Sequence, residues 1–156
     1  MIPAVVIAAG RGSRLEPLTS RYAKPVLPVG GRPVLATLLR ELATAGVPCA
    51  TVVVGRHGEQ VERLVRDGRA FGLPVRLARQ ETPDGSAHAV AAADPDAPYL
   101  VVGADQVFAP GDLARAADVA VRLGWAARAV ATHAAGHEEP ERIHTRLRMF
   151  LDGRAD

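Results

Sequence analysis

A glycine- and arginine-rich segment follows the first short apolar run of the chain, residues 5–8. It consists of Ala9, Gly10, Arg11, Gly12, Ser13, Arg14 and Leu15. Glycines let a backbone turn tightly and bring its N–H groups close to an anion. Arginine side chains add charge-assisted hydrogen bonds to phosphate oxygens. The segment therefore predicts a phosphate-binding loop.

Two familiar phosphate loops do not fit this segment. A dinucleotide-binding loop needs a glycine where Leu15 stands and a helix that begins at once, whereas Pro17 and a long loop follow. A Walker loop needs Gly-Lys-Ser/Thr, which is absent. A plain turn would not account for two arginines beside two glycines at a strand end, where ligands of open α/β sheets bind.

The lysine usage of the chain singles out one residue. Of the 19 basic residues, Lys24 is the only lysine. Lysine carries a compact ammonium on a flexible stem, whereas arginine carries a planar fork. One lysine among so many arginines can arise by chance, but its place soon after the glycine loop favours a specific role.

Other polar residues are weaker candidates when taken alone. Asp105 follows the apolar run 99–102, and a carboxylate at the end of a strand suits Mg²⁺ that bridges phosphates. Gln80 follows another strand pattern, and its amide offers both a donor and an acceptor to a nucleobase. A turn aspartate and an exposed glutamine are the simpler interpretations of each residue by itself.

A histidine pair near the end of the chain suggests a metal site only superficially. His133 and His137 are four residues apart and precede Glu138 and Glu139. The region has the pattern of a loop after a strand, with no residue evident that would orient the ligands. We expect a solvated loop there.

The elements that must position these residues alternate between strand and helix. Strands are predicted over 5–8, 51–54, 75–79, 99–102 and 126–132. Helices are predicted from Pro33 to Gly46, after His57 until Gly68, over 87–93 and over 113–123, the last with Asp112 as its cap. This order predicts a three-layer α/β/α sandwich with a mostly parallel, Rossmann-like sheet.

The last residues carry a different pattern. Residues 143–151 alternate between apolar and polar side chains, as in a half-exposed strand, and Asp152-Gly153 is a hairpin signal with no returning strand after it. We expect that residues 1–156 form a single domain that is truncated at its C-terminus. The alternative is that this end pairs with another chain, which leaves a homo-oligomer open.

Composition limits the classes of partner. Hydrophobic residues make up 48% of the chain and charged residues 23%, a globular balance. The net charge of +2 gives little reason to expect a nucleic-acid partner. The apolar runs are too short to cross a membrane and no secretory signal is recognisable, so a cytoplasmic location is expected.

Residues 8–35 resemble the N-terminal motif of the sugar-phosphate nucleotidyltransferases. They share a glycine-arginine-leucine segment, Pro17-Leu18-Thr19 and Lys24-Pro25, and the ten-residue step from Arg14 to Lys24 is similar to that of the glucose-1-phosphate thymidylyltransferases and uridylyltransferases. Residues 79–89 resemble the base-binding segment of that family. Residues 99–108 resemble the strand that ends in its Mg²⁺-binding aspartate, with Ala104 where the family usually has glycine.

The resemblance implies a reaction in which an NTP, with UTP or dTTP favoured, and a sugar 1-phosphate give an NDP-sugar and pyrophosphate. It implies that Arg14 and Lys24 are catalytic and that Asp105 holds the cofactor, Mg²⁺. The nucleotide-binding residues that it implies are Ala8, Ala9, Gly10, Arg11, Gly12, Ser13, Gln80, Gly85 and Ser86. The methyl group of Ala104 is expected to crowd the backbone near the nucleotide.

Several alternatives stay open at this point. Family members carry a sugar-binding half with a Glu-Lys-Pro segment and a second Mg²⁺-binding aspartate, neither of which is recognisable here. The chain could instead be a non-catalytic, regulatory nucleotide-binding relative. It could also use another acceptor, of the polyol-phosphate or molybdopterin type, or be an assembly protein that recruits partners through its final strand.

Overall fold

The structure is a computed structural model that describes residues 2–82, 85–96, 99–122 and 129–131. Its strands are β1 (Ala4–Ala8), β2 (Pro28–Val29), β3 (Arg32–Pro33), β4 (Ala50–Val54), β5 (Val75–Arg79), β6 (Leu100–Gly103) and β7 (Ala129–Ala131). Its helices are α1 (Val34–Thr44), α2 (Gly58–Val65), α3 (Ser86–Ala93) and α4 (Asp112–Arg122). The predicted strand over 143–151 lies outside the described residues.

Five of these strands form one sheet in the order β5-β4-β1-β6-β7. Each neighbouring pair is parallel, and the register sets Val6 of β1 beside Val52 of β4 and Val102 of β6. The chain moves outward from β1 in one direction through β4 and β5, and then in the other through β6 and β7. The position between β1 and β6 is therefore the point where the strand order reverses.

Helices cover both faces of the sheet. Successive residues of a strand point to opposite faces, so β1 contributes Val6 to one core and Val5 to the other. The first core lies under α1, α2 and α4 and includes Leu35, Leu39, Val52, Val61, Val102 and Leu113. The second lies under α3 and includes Val5, Val53, Ala89, Ala93 and Val101. This arrangement confirms the predicted three-layer α/β/α sandwich with a parallel sheet.

Helix α1 has the boundaries that its sequence signals predict. Pro33 is its N-cap, and Gly46, with φ of 76°, follows its end and donates its N–H to the Ala43 carbonyl. Leu35, Leu38, Leu39 and Leu42 are at most 2% exposed. Burying each of these side chains stabilises the fold by about 1.5–3 kcal/mol. Helix α1 is thus a firm support for the turns that precede it.

A small hairpin in front of α1 is not among the predicted elements. Strands β2 and β3 pair antiparallel through Gly30 and Gly31, whose φ angles are 59° and 79°. Positive φ at both central residues is the requirement of a tight hairpin turn that matches the twist of its strands. Strands of two residues are too short to show an alternating pattern, so the sequence predicts only a loop in this region.

Candidate functional site

The loops that carry the predicted site residues leave the same edge of the sheet. Strands β5, β4, β1 and β6 are parallel neighbours, so their carboxyl ends lie side by side. Gln80 follows β5 and Asp105 follows β6. At about 4.8 Å per strand, three strand spacings separate these two ends by about 14 Å. The edge is therefore wide enough for an extended ligand.

Lys24 and Asp105 form an ion pair at this edge. The Nζ atom of Lys24 lies 2.5 Å from Oδ2 of Asp105, although the two residues are 81 positions apart in the chain. Their side chains are 35% and 44% exposed, so both stay within reach of a ligand. Asp105 is held close to the end of β1, because the Ala104 N–H donates a 2.9 Å hydrogen bond to the Ile7 carbonyl. The pair thus sits at the reversal point of the strand order.

The segment between the glycine loop and Lys24 is folded onto itself. Gly12 has φ of 67°, and its carbonyl accepts a 2.9 Å hydrogen bond from the hydroxyl of Thr19, which is 2% exposed. A Cβ atom on Gly12 would lie 2.7 Å from Cγ2 of Thr19 and 3.5 Å from Cβ of Lys24. Gly12 is therefore required by its neighbours, and it lies next to the stem of Lys24.

Gly10 contrasts with Gly12. A Cβ atom on Gly10 would meet no atom within 4 Å, and the residue is exposed. Arg11 and Arg14 are also exposed, and neither guanidinium forms a hydrogen bond or ion pair with another described residue. The outer side of the loop is consequently an open, positively charged surface.

The alanines at the start of the loop face inward. Ala8 and Ala9 are each 6% exposed and belong to the two cores of the protein. Strand β4 ends close by, since a Cβ atom on Gly55 would lie 2.9 Å from the Ala9 carbonyl oxygen. Glycine at position 55 is what permits this close approach.

Gln80, Gly85 and His88 lie together beyond the end of β5. Gln80 is 7% exposed, and its Nε2 lies 3.1 Å from the Gly85 carbonyl oxygen and 3.2 Å from Nδ1 of His88. That Nδ1 is also 3.1 Å from the Thr82 carbonyl oxygen. The structure thus brings Gln80 and Gly85 together, with the amide nitrogen of Gln80 bonded inside the protein. His88 lies on α3, as predicted, and Ser86 begins that helix.

The turn that carries Asp105 is closed by Gln106. The Gly103 N–H donates a 3.0 Å hydrogen bond to Oε1 of Gln106. A Cβ atom on Gly103 would lie 3.1 Å from Oδ1 of Asp105, so glycine leaves space for the carboxylate. Ala104 is 1% exposed and packs in the core under α1. The methyl group of Ala104 is therefore covered by the core, and its expected crowding of the backbone near the nucleotide stays a prediction.

The donor set for a metal ion is small. Among the residues described, no three histidines, cysteines, aspartates or glutamates group as metal ligands. Mg²⁺ is commonly held by one or two carboxylates together with substrate phosphates and water. One exposed carboxylate, that of Asp105, beside the glycine loop fits that mode of binding. His133, His137, Glu138 and Glu139 lie outside the described residues.

Two residues that are not among the predicted site residues, Thr19 and Gln60, hold the loop in place. In the sequence, Thr19 stands out only as part of the Pro17-Leu18-Thr19 motif, and no motif marks Gln60. Both make side-chain hydrogen bonds to the loop backbone.

Within the described ranges, no helix has the length and apolar character needed to cross a bilayer.

This chain is similar to known proteins over most of its length. A family model described as nucleotidyl transferase matches residues 3–142. The glucose-1-phosphate thymidylyltransferase of Streptomyces antibioticus is 41% identical over 87 residues, which cover 56% of this chain and 24% of that protein. The N-acetylmuramate alpha-1-phosphate uridylyltransferase of Neisseria meningitidis serogroup B is 39% identical over 110 residues, covering 65% of this chain and 46% of that protein.

A solved structure supports the fold. A UDP-glucose pyrophosphorylase complexed with UDP-glucose superposes with a TM-score of 0.67 at 22% identity, over 80% of this chain and 55% of that chain. The matched segments span between 24% and 55% of the length of these three proteins. The range matched by the family model, residues 3–142, includes the glycine loop, Lys24 and Asp105.

Proposed function

Because this chain belongs to the nucleotidyl transferase family, we propose that it transfers a nucleotidyl group from an NTP to a sugar 1-phosphate and releases pyrophosphate. UTP and dTTP are the favoured donors, since the relatives named above are a thymidylyltransferase and a uridylyltransferase. The observation that carries the proposal is the 2.5 Å contact between Lys24 and Asp105, beside an open glycine loop at the strand-order reversal.

The reaction is a displacement at phosphorus. An oxygen of the sugar phosphate forms a bond to the α-phosphorus, the bond from that phosphorus to the bridging oxygen of the β-phosphate breaks, and pyrophosphate leaves with the electron pair. No covalent intermediate with the protein is needed. The protein contributes in-line positioning and neutralisation of charge.

The glycine loop supplies the first part of that positioning. Backbone N–H groups from Gly10 to Ser13 bind the triphosphate, and the empty space above Gly10 lets the phosphates approach the backbone. Arg14 is exposed on the same loop, where its guanidinium can stabilise the charge that develops on pyrophosphate. Arg11 adds a second exposed cation.

Lys24 and Asp105 act on the reacting phosphates. The ammonium of Lys24 is carried on a flexible stem, so it can move from Asp105 to a position between the α-phosphate and the incoming sugar phosphate. Asp105 would hold Mg²⁺, which polarises the α-phosphate when bound. With substrate bound, Lys24 would face the phosphates and Asp105 would be the residue that holds the metal ion.

Base recognition is assigned to the end of β5. The carboxamide of Gln80 and the backbone of Gly85 and Ser86 lie at the β5 end of the edge, three strands away from β6, which precedes Asp105. Because Nε2 of Gln80 is already bonded to the Gly85 carbonyl, Oε1 is the group that would accept a hydrogen bond from the N3–H of a uracil or thymine edge. This assignment supports UTP or dTTP over purine nucleotides.

The test is pyrophosphate release from UTP or dTTP with a panel of sugar 1-phosphates and Mg²⁺. Arg14→Ala and Lys24→Ala are each expected to lower kcat by about 10²-fold. The kcat of Lys24→Arg should stay close to that of Lys24→Ala, because the planar guanidinium of arginine does not replace a compact ammonium. The matched control is Arg69→Ala, since Arg69 is 89% exposed and pairs with Asp67 away from the site.

Two outcomes would count against the proposal. Unchanged turnover in both Arg14→Ala and Lys24→Ala would remove their catalytic assignment. Binding of NTP without pyrophosphate release for any sugar phosphate would instead identify a non-catalytic nucleotide-binding relative.

A further inference from the structure

We infer that Gln60 is a positioning residue for Lys24, an inference that rests on the function proposed for Lys24. Gln60 lies on α2. Its Oε1 accepts a hydrogen bond from the Ala23 N–H, and its Nε2 donates one to the Arg21 carbonyl, both at 2.8 Å. One side chain thus holds the backbone on both sides of Tyr22, directly before Lys24.

The chemistry of these two hydrogen bonds requires an amide side chain. A backbone N–H can only donate and a carbonyl can only accept, so the orientation of the Gln60 carboxamide is fixed by its two partners. Both distances lie within the usual range for N–H···O hydrogen bonds. Glutamate at position 60 would keep the acceptor for the Ala23 N–H and lose the donor to the Arg21 carbonyl. Methionine would keep the length of the side chain and lose both hydrogen bonds.

Ala23 is the point through which this hold reaches Lys24. Ala23 is 5% exposed, and its carbonyl accepts a 3.0 Å hydrogen bond from the Val26 N–H. Both peptide groups of Ala23 are therefore bonded, one to α2 and one to the turn that begins at Lys24. The backbone of Lys24 is fixed further by the 3.2 Å bond from the Leu27 N–H to its carbonyl.

Helix α2 is a rigid base for this contact. Val61 and Val65 are each 1% exposed and anchor the helix in the core. The helix also packs against the turn that contains Lys24. Gln60 therefore fixes the segment that carries Lys24 to α2, and α2 is itself anchored on the sheet.

The benefit of such a hold follows from the lysine itself. Its stem has several rotatable bonds, and its side chain is 35% exposed, so the surrounding protein does not cage the ammonium. A fixed backbone is what limits the region that the ammonium can reach. Misplacing a catalytic group by about 1 Å can lower a rate by about 10²-fold.

The single lysine gives a direct measurement. An amine-acylating reagent can modify only Lys24 and the N-terminal amine, and the two lie in separable peptides. We would measure the acylation rate of Lys24 by mass spectrometry without nucleotide, in the wild type, Gln60→Met, and the control Glu62→Met. Glu62 is an exposed residue of the same helix, so the control matches the introduced side chain and the helix.

The expected result is faster acylation of Lys24 in Gln60→Met than in the wild type, by up to about thirtyfold, the change expected when two hydrogen bonds of ordinary net strength are lost. Asp105→Asn removes the ion pair of Lys24 directly, so the acylation rate in this variant is the upper limit for the Gln60 variants. Glu62→Met should match the wild type. Gln60→Glu keeps the bond to Ala23 and should fall between, which also provides a reading should Gln60→Met fail to fold.

Turnover separates positioning from simple stabilisation. Gln60→Met should lower kcat for pyrophosphate release while KM for the NTP changes little, because Lys24 acts on the reacting phosphates. Wild-type lysine reactivity in both Gln60 variants overturns the inference. Since acylation is measured without nucleotide, it decides the role of Gln60 even where absent pyrophosphate release refutes the proposed function.

Discussion

An alanine at position 10 separates the needs of a ligand from those of the fold. Gly10 has no neighbour within 4 Å of an added Cβ and no positive φ, so Gly10→Ala should fold with an unchanged melting temperature. The methyl group would occupy the space through which phosphates reach the loop N–H groups. Losing one or two hydrogen bonds to a charged group should weaken NTP binding by about 10- to 100-fold.

Gly12→Ala is the matched contrast for that measurement by calorimetric titration. Its φ of 67° and the 2.7 Å approach to Thr19 predict a loss of stability as well as of binding. Equal NTP affinity in Gly10→Ala and the wild type would show that phosphates do not approach the loop at Gly10.

Residue types and motifs predict the residues of the site better than they predict the residues that hold the site in place. Lys24 and Asp105 can be singled out because each stands in a recognisable pattern, and the structure brings them to 2.5 Å. Thr19 and Gln60 have no such pattern. Their hydrogen bonds to the loop depend on how closely the loop folds back and how α2 approaches it, and neither is encoded in local spacing.

At the scale of elements, the seating of α2 on β4 is a sensitive point. A Cβ atom on Gly58 would lie 2.9 Å from Cγ2 and 3.1 Å from Cβ of Val54, a buried residue of β4. Val54 is β-branched and cannot easily change its rotamer. Gly58→Ala should therefore push α2 outward and destabilise the protein by about 1–3 kcal/mol.

Urea unfolding of Gly58→Ala and of Glu59→Ala tests this seating. Glu59 is exposed on the next position of the helix, so its substitution carries no such contact. Because α2 carries Gln60, Gly58→Ala should also speed acylation of Lys24. A stability equal to that of Glu59→Ala would mean that α2 accommodates the methyl group without moving.

Element prediction succeeds where periodicity, caps and length act together. Helix α1 has four buried leucines on one face, a proline before it and a glycine after it, and its observed bounds agree with these signals. The β2–β3 hairpin had only the Gly30-Gly31 turn as a signal. Two residues a strand cannot display alternation, so the hairpin could not be distinguished from a loop.

At the scale of the molecule, alternation predicts a parallel sheet but does not give the order of its strands. Right-handed connections between parallel strands allow several orders. The observed order, β5-β4-β1-β6-β7, is what sets β6 directly beside β1. In another order, the glycine loop after β1 and Asp105 after β6 would still leave the same edge of the parallel sheet, but they would not be neighbours on it.

The same order predicts that NTP binding stabilises the whole molecule, because the ligand would link loops from β1, β5 and β6. With Mg²⁺ and UTP or dTTP at about 100 times Kd, the gain is about 2.7 kcal/mol. For a chain of this size, that gain should raise Tm by about 5–10 °C. Thermal unfolding with each NTP measures the shift, and Mg²⁺ alone and the Gly10→Ala variant serve as controls.

UTP and dTTP should give larger shifts in Tm than ATP and GTP. Equal shifts with all nucleotides would leave phosphate binding in place and remove the assignment of base recognition to Gln80 and Gly85, whereas no shift with any of them would refute nucleotide binding at this edge.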